Sequence, residues 1–305
     1  MFQFSKSKMD SVKKSFFLLH LAIFLFGFTG ILGKMILLPA LVLVWWRSLL
    51  TWVLMLPKMY KVQGFRKMDL RTFKRFMGIG LLVGLHWICF YGSIKLANSS
   101  VAMICLAFIP LSTVFFEALF QKKEIKALDI GTGLLILPGM WLILQNIDFS
   151  YRLGFGIGIL AAIFSAAFAT LNKKYIKTSD EILISWIELF SVWCLMSVLM
   201  PVVYFFDPNF IFFPSGSDWI YLLFLSYFCT VLAYVFVIRS LQNLSAFTAM
   251  LAFNMEPVYG IILAIAVLKE HRQLNLSFYI GVFIILTTVL LHPYLEKKFN
   301  RIKTK

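Results

Sequence analysis

The chain has 305 residues, of which 61% are hydrophobic and only 14% charged, with 33 phenylalanines. A soluble globule could not hide that much apolar side chain, because its outer layer must still meet water, so the natural solvent is a bilayer. A net charge of +15 would point to nucleic acid in a soluble protein, but its distribution along the chain reads differently.

In hydrocarbon every backbone amide must be paired within its own segment, so each apolar run is expected to be a helix of about 20 residues. Taken in order, the runs predict spans at 16–37, 39–57, 73–94, 98–121, 127–145, 153–172, 181–206, 216–238, 245–268 and 274–294. The expected fold class is an all-α membrane protein with ten transmembrane helices. The first run has a basic flank (Lys6, Lys8, Lys13, Lys14), as a signal peptide would. It is too long and lacks a small-residue cleavage site, and so reads as a retained helix. The linkers leave no room for a soluble domain. With the N-terminus cytoplasmic, 23 of the 29 lysines and arginines fall in inside segments and 5 in outside loops, while Arg47 lies within a span. This split predicts a cytoplasmic (inner) membrane protein with both termini inside, and it makes the basic excess a topology signal instead of a nucleic-acid surface. Cys89, Cys105, Cys194 and Cys229 all lie inside apolar runs and read as small hydrophobes, with no disulfide framework and no metal-ligand spacing. No metal or cofactor is expected; GFGIG (154–158) opens a membrane helix with no strand before it, so it is no dinucleotide loop.

The chain repeats itself. Slid by 147 residues, SSVAMICLAFIPLSTVFFEALFQKKE (99–124) lies over AFTAMLAFNMEPVYGIILAIAVLKE (246–270). Ala102–Met103 falls on Ala249–Met250, Pro110 on Pro257 and Lys122 on Lys269. At an offset of 141, Trp45 and Trp52 fall on Trp186 and Trp193, each pair seven residues apart and therefore on one helix face. Five spans per half is an odd number, so the second half must enter the membrane upside down. The predicted domains are two inverted five-helix repeats at 16–145 and 153–294. Such repeats are the architecture of alternating-access carriers, whose substrate sits between the halves at mid-membrane.

Ten spans arranged in two fives resemble the drug/metabolite transporter superfamily, of the EamA-domain type. FLFGFTGILGK followed by PALVLVWWR is similar to that family's early Gly, Lys ending the first helix, then Pro and Arg in the second: here Gly27, Lys34, Pro39 and Arg47. EPVYGIILAIAVLKE is similar to its Glu-Pro ahead of a Glu at the exit of the ninth helix: here Glu256, Pro257 and Glu270. Phe26 stands where a tryptophan is usual. The resemblance implies a permease for a small organic metabolite, an amino acid or amphipathic compound, commonly exported. It names no substrate.

Ionisable groups inside spans are the informative ones, since a charge at the bilayer centre costs at least about 2.5–3.5 kcal/mol. Arg47 reads either as an anion-binding group for a substrate carboxylate or as a structural partner for a carboxylate or for broken-helix carbonyls. Glu188 occupies the repeat position equivalent to Arg47 and is expected at similar depth, with pairing between them one outcome. Glu256 sits beside Pro257 in apolar surroundings; a carboxyl there can load a proton on one side and release it on the other, or donate a hydrogen bond to a carbonyl freed by the proline. Pro110 and Pro257 are expected to act as hinges, each removing a backbone hydrogen bond. Trp46, Trp186, Asn254 and Tyr259 are further candidates for lining a solute site, as is Lys34, whose other reading is a snorkelling anchor. Glu117 is expected to reach a lysine, His86 and His20 to be packed neutral imidazoles, and Glu270 and His271 to be solvated. Gly80 and Gly84 form a GxxxG face for close helix packing. The expected partners are thus a small-molecule solute, the lipid bilayer and a proton as coupling ion. The alternative class, a membrane-embedded lipid-modifying enzyme or scramblase, would need a reactive constellation in the enzyme case, but the seven aspartates lie in loops or at span ends and the four histidines are scattered.

Overall fold

The computed structural model describes residues 6–60, 62, 68–125, 127–241, 243–244, 252–253, 255–272 and 274–303, and among these the chain is helical without a β-strand. The helices are α1 (Lys6–Met35), α2 (Ala40–Met59), α3 (Leu70–Leu96), α4 (Ser99–Gln121) and α5 (Ala127–Asn146). They continue with α6 (Arg152–Tyr175), α7 (Glu181–Phe206), α8 (Ser217–Ser226, Tyr227–Leu232 and Ala233–Leu241), α9 (Glu256–Leu268) and α10 (Leu276–Lys303). Each meets one of the ten predicted runs. Seven of these runs, in α1 to α4 and α6 to α8, are long and apolar enough to cross a membrane, and α5, α9 and α10 carry shorter apolar stretches. Residues 245–251 and Asn254, the first part of the ninth predicted run, lie outside the described residues.

Short polar side chains start several helices. Asn98 accepts from the Val101 amide at the head of α4, and Asp180 accepts from the Ile182 and Leu183 amides at the head of α7. These bonds satisfy amides that the helix itself cannot. α4 is broken: after Cys105 a 3₁₀ turn runs over Leu106–Phe108, and Pro110 is the second residue of the segment Ile109–Gln121. Pro257 is likewise the second residue of Glu256–Leu263. The prolines therefore follow a break instead of kinking a continuous helix, at a position where a missing N–H costs nothing. The backbone before them matches, with φ/ψ of −77°/−10° at Phe108 and −79°/−14° at Met255. Lys122 and Lys269, which close α4 and α9, both adopt the left-handed conformation at φ 55° and ψ 32°.

Cross-contacts give the sense in which helices pack. α2 and α7 run antiparallel: Trp45 meets Trp193 (6.1 Å between ring centroids) and Trp52 meets Trp186 (5.1 Å). So do α3 and α6, where Gly154 lies on Ala97 and Gly158 on Ser93, and α5 and α10, where Gly139 lies on Ile285 and Gly281 on Ile143. α1 crosses α8 antiparallel through Ser15–Asn243 and Phe28–Phe224. By contrast, α2 runs parallel to α8, α3 to α7, and α4 to α6. Successive helices thus alternate in direction, and α1 begins on the same face of the bundle where α10 ends. We refer to this as the terminal face, and to the other as the far face.

The predicted GxxxG face of α3 is pressed against α7. A Cβ on Gly80 would lie 2.5 Å from the Glu188 carbonyl oxygen, whereas one on Gly78 would meet nothing within 4 Å. Gly80→Ala should therefore force the helices apart and destabilise by about 1–3 kcal/mol. Gly78→Ala should be neutral or stabilising by up to about 1 kcal/mol, from helix propensity alone. Thermal unfolding of the two purified variants checks this; equal melting temperatures would contradict the packing.

Candidate functional site

Arg47 lies on the buried face of α2 and is 3% exposed. Its Nε and Nη2 donate to Thr230 Oγ1 on α8 (3.1 and 2.9 Å), and its Nη1 donates to Tyr91 Oη on α3 (2.6 Å). The guanidinium also lies over the Trp87 ring, 3.8 Å from its centroid, which is cation–π geometry. Thr230 belongs to a π-helical segment of α8, Tyr227–Leu232, and donates to the Leu225 carbonyl. Among the described residues Arg47 forms no ion pair. Its guanidinium is held by hydroxyls and an indole face.

Glu188 is 2% exposed. Its Oε2 accepts from Tyr234 Oη on α8 (2.9 Å) and from Asn172 Nδ2 on α6 (3.2 Å). The pairing with Arg47 contemplated from the repeat does not form. Helical side chains lean toward their own N-terminus. Because α2 and α7 are antiparallel, Arg47 leans toward the far face and Glu188 toward the terminal face. Their α8 partners, Thr230 and Tyr234, are accordingly one turn apart.

Glu256 opens α9 directly after the break and makes no hydrogen bond or ion pair among the described residues. It lies within electrostatic range of Arg47 and Tyr91. Tyr259, one turn on, packs on α1, where a Cβ on Gly27 would lie 3.1 Å from Tyr259 Cβ. The early glycine of α1 thus allows the approach of α9. The other expected site residues stand apart from this region. Trp46 donates to the Phe212 carbonyl (2.8 Å) beside Trp219 at the far face, and Trp186 stacks on Trp52. Lys34 is exposed at the far end of α1. Glu117 pairs with Lys123 just past the end of its own helix and with Lys173 of α6, both at 2.9 Å. His86 bonds the Ala161 carbonyl (2.9 Å) as a packed imidazole, whereas His20 is exposed on α1.

Glu270 corrects the expectation of a solvated residue, being 2% exposed. Its carboxylate accepts from the Ser99 and Ser100 amides (2.9 and 2.8 Å) and from Ser100 Oγ (2.6 Å). It thereby caps the N-terminus of α4, where the helix dipole and unpaired amides favour an anion. Nearby, buried Asp218 accepts from the Leu37 amide (3.1 Å), and Lys95 donates to the Ile36 carbonyl. Charged side chains thus bind the far-face loops.

Thr230, Tyr234, Asn172, Trp87 and Tyr91 are absent from the residues expected from the sequence. A signal was present: Ser226, Thr230 and Tyr234 place hydroxyls four residues apart along one apolar helix, as Trp87 and Tyr91 place two polar-tipped aromatics. The observed partners predict two double-mutant cycles, read by thermal unfolding of purified protein. Stability losses from Arg47→Met and Glu188→Met should add within about 0.5 kcal/mol, whereas Arg47→Met and Thr230→Val should couple by about 0.5–3 kcal/mol. Strong coupling between Arg47 and Glu188 would contradict their separate bonding.

Similarities to known proteins agree with this architecture. An uncharacterized transporter of Clostridium kluyveri is 23% identical over 221 residues, covering 69% of this chain and 68% of its own. A solved crystal structure superposes on 95% of this chain and 99% of its own with a TM-score of 0.64, at 14% identity, which is a likeness of fold. The family model of EamA-like transporters matches twice, over residues 13–145 and 152–292. The chain therefore belongs to the EamA-like transporter family, multi-pass membrane proteins.

Proposed function

We propose that the protein is a secondary carrier that moves a small organic solute, such as an amino acid or amphipathic compound, outward across the cytoplasmic membrane by alternating access, with a proton as coupling ion. The observation that carries this reading is the conjunction of Arg47 and Glu256. An arginine and a carboxyl lie within electrostatic range of each other, and among the described residues the guanidinium has no carboxylate partner and the carboxyl no bond, where a helix is interrupted. Interrupted helices with free polar groups are how carriers expose binding atoms at mid-membrane. Arg47 would receive the anionic part of the solute and Glu256 its cationic or donor part.

The inverted five-helix repeat is part of the proposal. Its support is that helix pairings exchange under a shift of five: α3–α6 corresponds to α8–α1, and α3–α7 to α8–α2, while α2–α7 and α5–α10 map onto themselves. The Trp45–Trp193 contact likewise corresponds to Trp186–Trp52, around the Trp52–Trp193 stack. The basic loops support a cytoplasmic terminal face, since positive residues are enriched on that side.

Two experiments test this reading. In a cysteine-free background, Ser215→Cys on the far face should react with an impermeant thiol reagent in intact cells, and Thr178→Cys on the terminal face should not. Labelling at position 178 would reverse the orientation. In cells deleted for the protein, at least one small organic solute should change its internal level severalfold and recover with the wild-type chain. Glu256→Gln preserves shape and should lower transport of that solute by tenfold or more; a wild-type rate with unchanged pH response would remove Glu256 from the site.

A further inference from the structure

Away from Arg47 and Glu256 the bundle encloses a second set of polar atoms, around Glu188. Its Oε2 is answered twice, by Tyr234 and Asn172. The other oxygen of the same carboxyl, Oε1, and the amide oxygen of the same Asn172, Oδ1, are both buried with no hydrogen-bond partner among the described residues. Both leftover atoms are acceptors as long as Glu188 is a carboxylate, so neither can satisfy the other. A buried carboxyl oxygen and a buried amide oxygen left open on two groups already in contact form an incomplete pair.

One proton completes it. Placed on Oε1, it turns Glu188 into the neutral acid, whose O–H donates to Asn172 Oδ1 while Asn172 Nδ2–H keeps donating to Oε2. The result is a two-armed acid–amide pair in which Oε2 is the carbonyl-type oxygen, with Tyr234 as its second donor. Among the described residues the surroundings hold no counter-charge for an ionised Glu188. α6 presents Asn172, α8 presents Tyr234 with Ser185 bonded to it, α3 presents the bare backbone of Gly80, and Arg47 of α2 turns away to Thr230. Tyr234 is the titratable group in contact with it, and no charged side chain acts on it among the described residues. Toward the terminal face, the apolar cluster of Met59, Phe76, Ile79, Leu183, Ile184 and Ile187 separates the pair from the loops. A proton held there is shut off from water until the helices move, as a coupling ion must be.

We propose that Glu188, paired with Asn172, is the site that carries the coupling proton, separate from the solute site at Arg47 and Glu256. The proton enters from water at one face and leaves to water at the other, so Glu188 is regenerated in each cycle. This assignment rests on the carrier reading for its role in transport, but not for the chemistry of the site.

Infrared difference spectra of the purified, solute-free protein across a pH titration test the chemistry. Wild type and Glu256→Gln should show a carboxylic C=O band that disappears at high pH. Glu188→Gln should lack that band while keeping its thermal stability, since an amide still bonds Asn172 and Tyr234, and Asn172→Leu should move the band to higher frequency. A band that survives Glu188→Gln in the Glu256→Gln background, or none in Glu256→Gln alone, overturns the proposal whether or not the protein is a carrier. In proteoliposomes loaded with the solute found in deleted cells, a pH gradient should accelerate wild-type flux. Glu188→Gln should exchange solute without responding to the gradient. A retained response, or one that follows a sodium gradient in place of pH, would also overturn it.

Discussion

A guanidinium inside an apolar bundle must have its N–H donors answered, because no water is at hand to do so and the charge cannot be shed. Neutral groups answer three of the N–H donors of Arg47: Thr230 Oγ1 takes two, Tyr91 Oη takes one, and Trp87 supplies a ring face. These groups come from α8 and α3, so a single side chain of α2 ties three helices together. The requirement also accounts for the π-helical segment in α8. The extra residue in that turn lets Thr230 bond back to Leu225 and still accept from Arg47. Irregular turns of this kind cost backbone regularity and tend to survive where a side chain must be re-aimed.

The second organising constraint is direction. Helical side chains lean toward the N-terminus of their helix, so antiparallel neighbours send their long side chains to opposite faces. α2 and α7 are antiparallel, and their equivalent ionisable residues diverge toward different partners on α8. The tryptophans of the same two helices meet instead: Trp52 stacks on both Trp186 and Trp193, and Trp193 contacts Trp45. The same pair of helices thus keeps its charges apart and its aromatic rings together.

The far face is closed by charges used as hydrogen-bond partners for loop and helix-end backbone: Glu270 for the head of α4, and Asp218 and Lys95 for the turn after α1. At the terminal face the ion pairs of Glu117 with Lys123 and Lys173 are partly exposed. Buried backbone contacts break as a unit when the elements separate, whereas exposed ion pairs exchange with water at little cost.

Much of this was legible in the chain alone. Hydropathy is a sum over neighbours in sequence, and a bilayer imposes one length on each element, so the ten runs and their helical character follow from local composition. The matched tryptophans, the paired Pro110 and Pro257 and the glycine face at Gly80 were also readable, because period and repeat are properties of the chain itself. Which groups meet across helices was not. Glu270 looks solvated beside His271 and Arg272, yet it is buried, since the head of α4 that it caps lies 170 residues away. Glu188 looks like a counter-ion for Arg47 because the alignment of the two sequence halves sets them at equivalent positions, but an alignment says nothing of lean. Only the packing of α6 and α8 gave Glu188 an amide and a phenol instead of a cation, because partners across an interface are set by crossing and rotation, which no local stretch of sequence encodes.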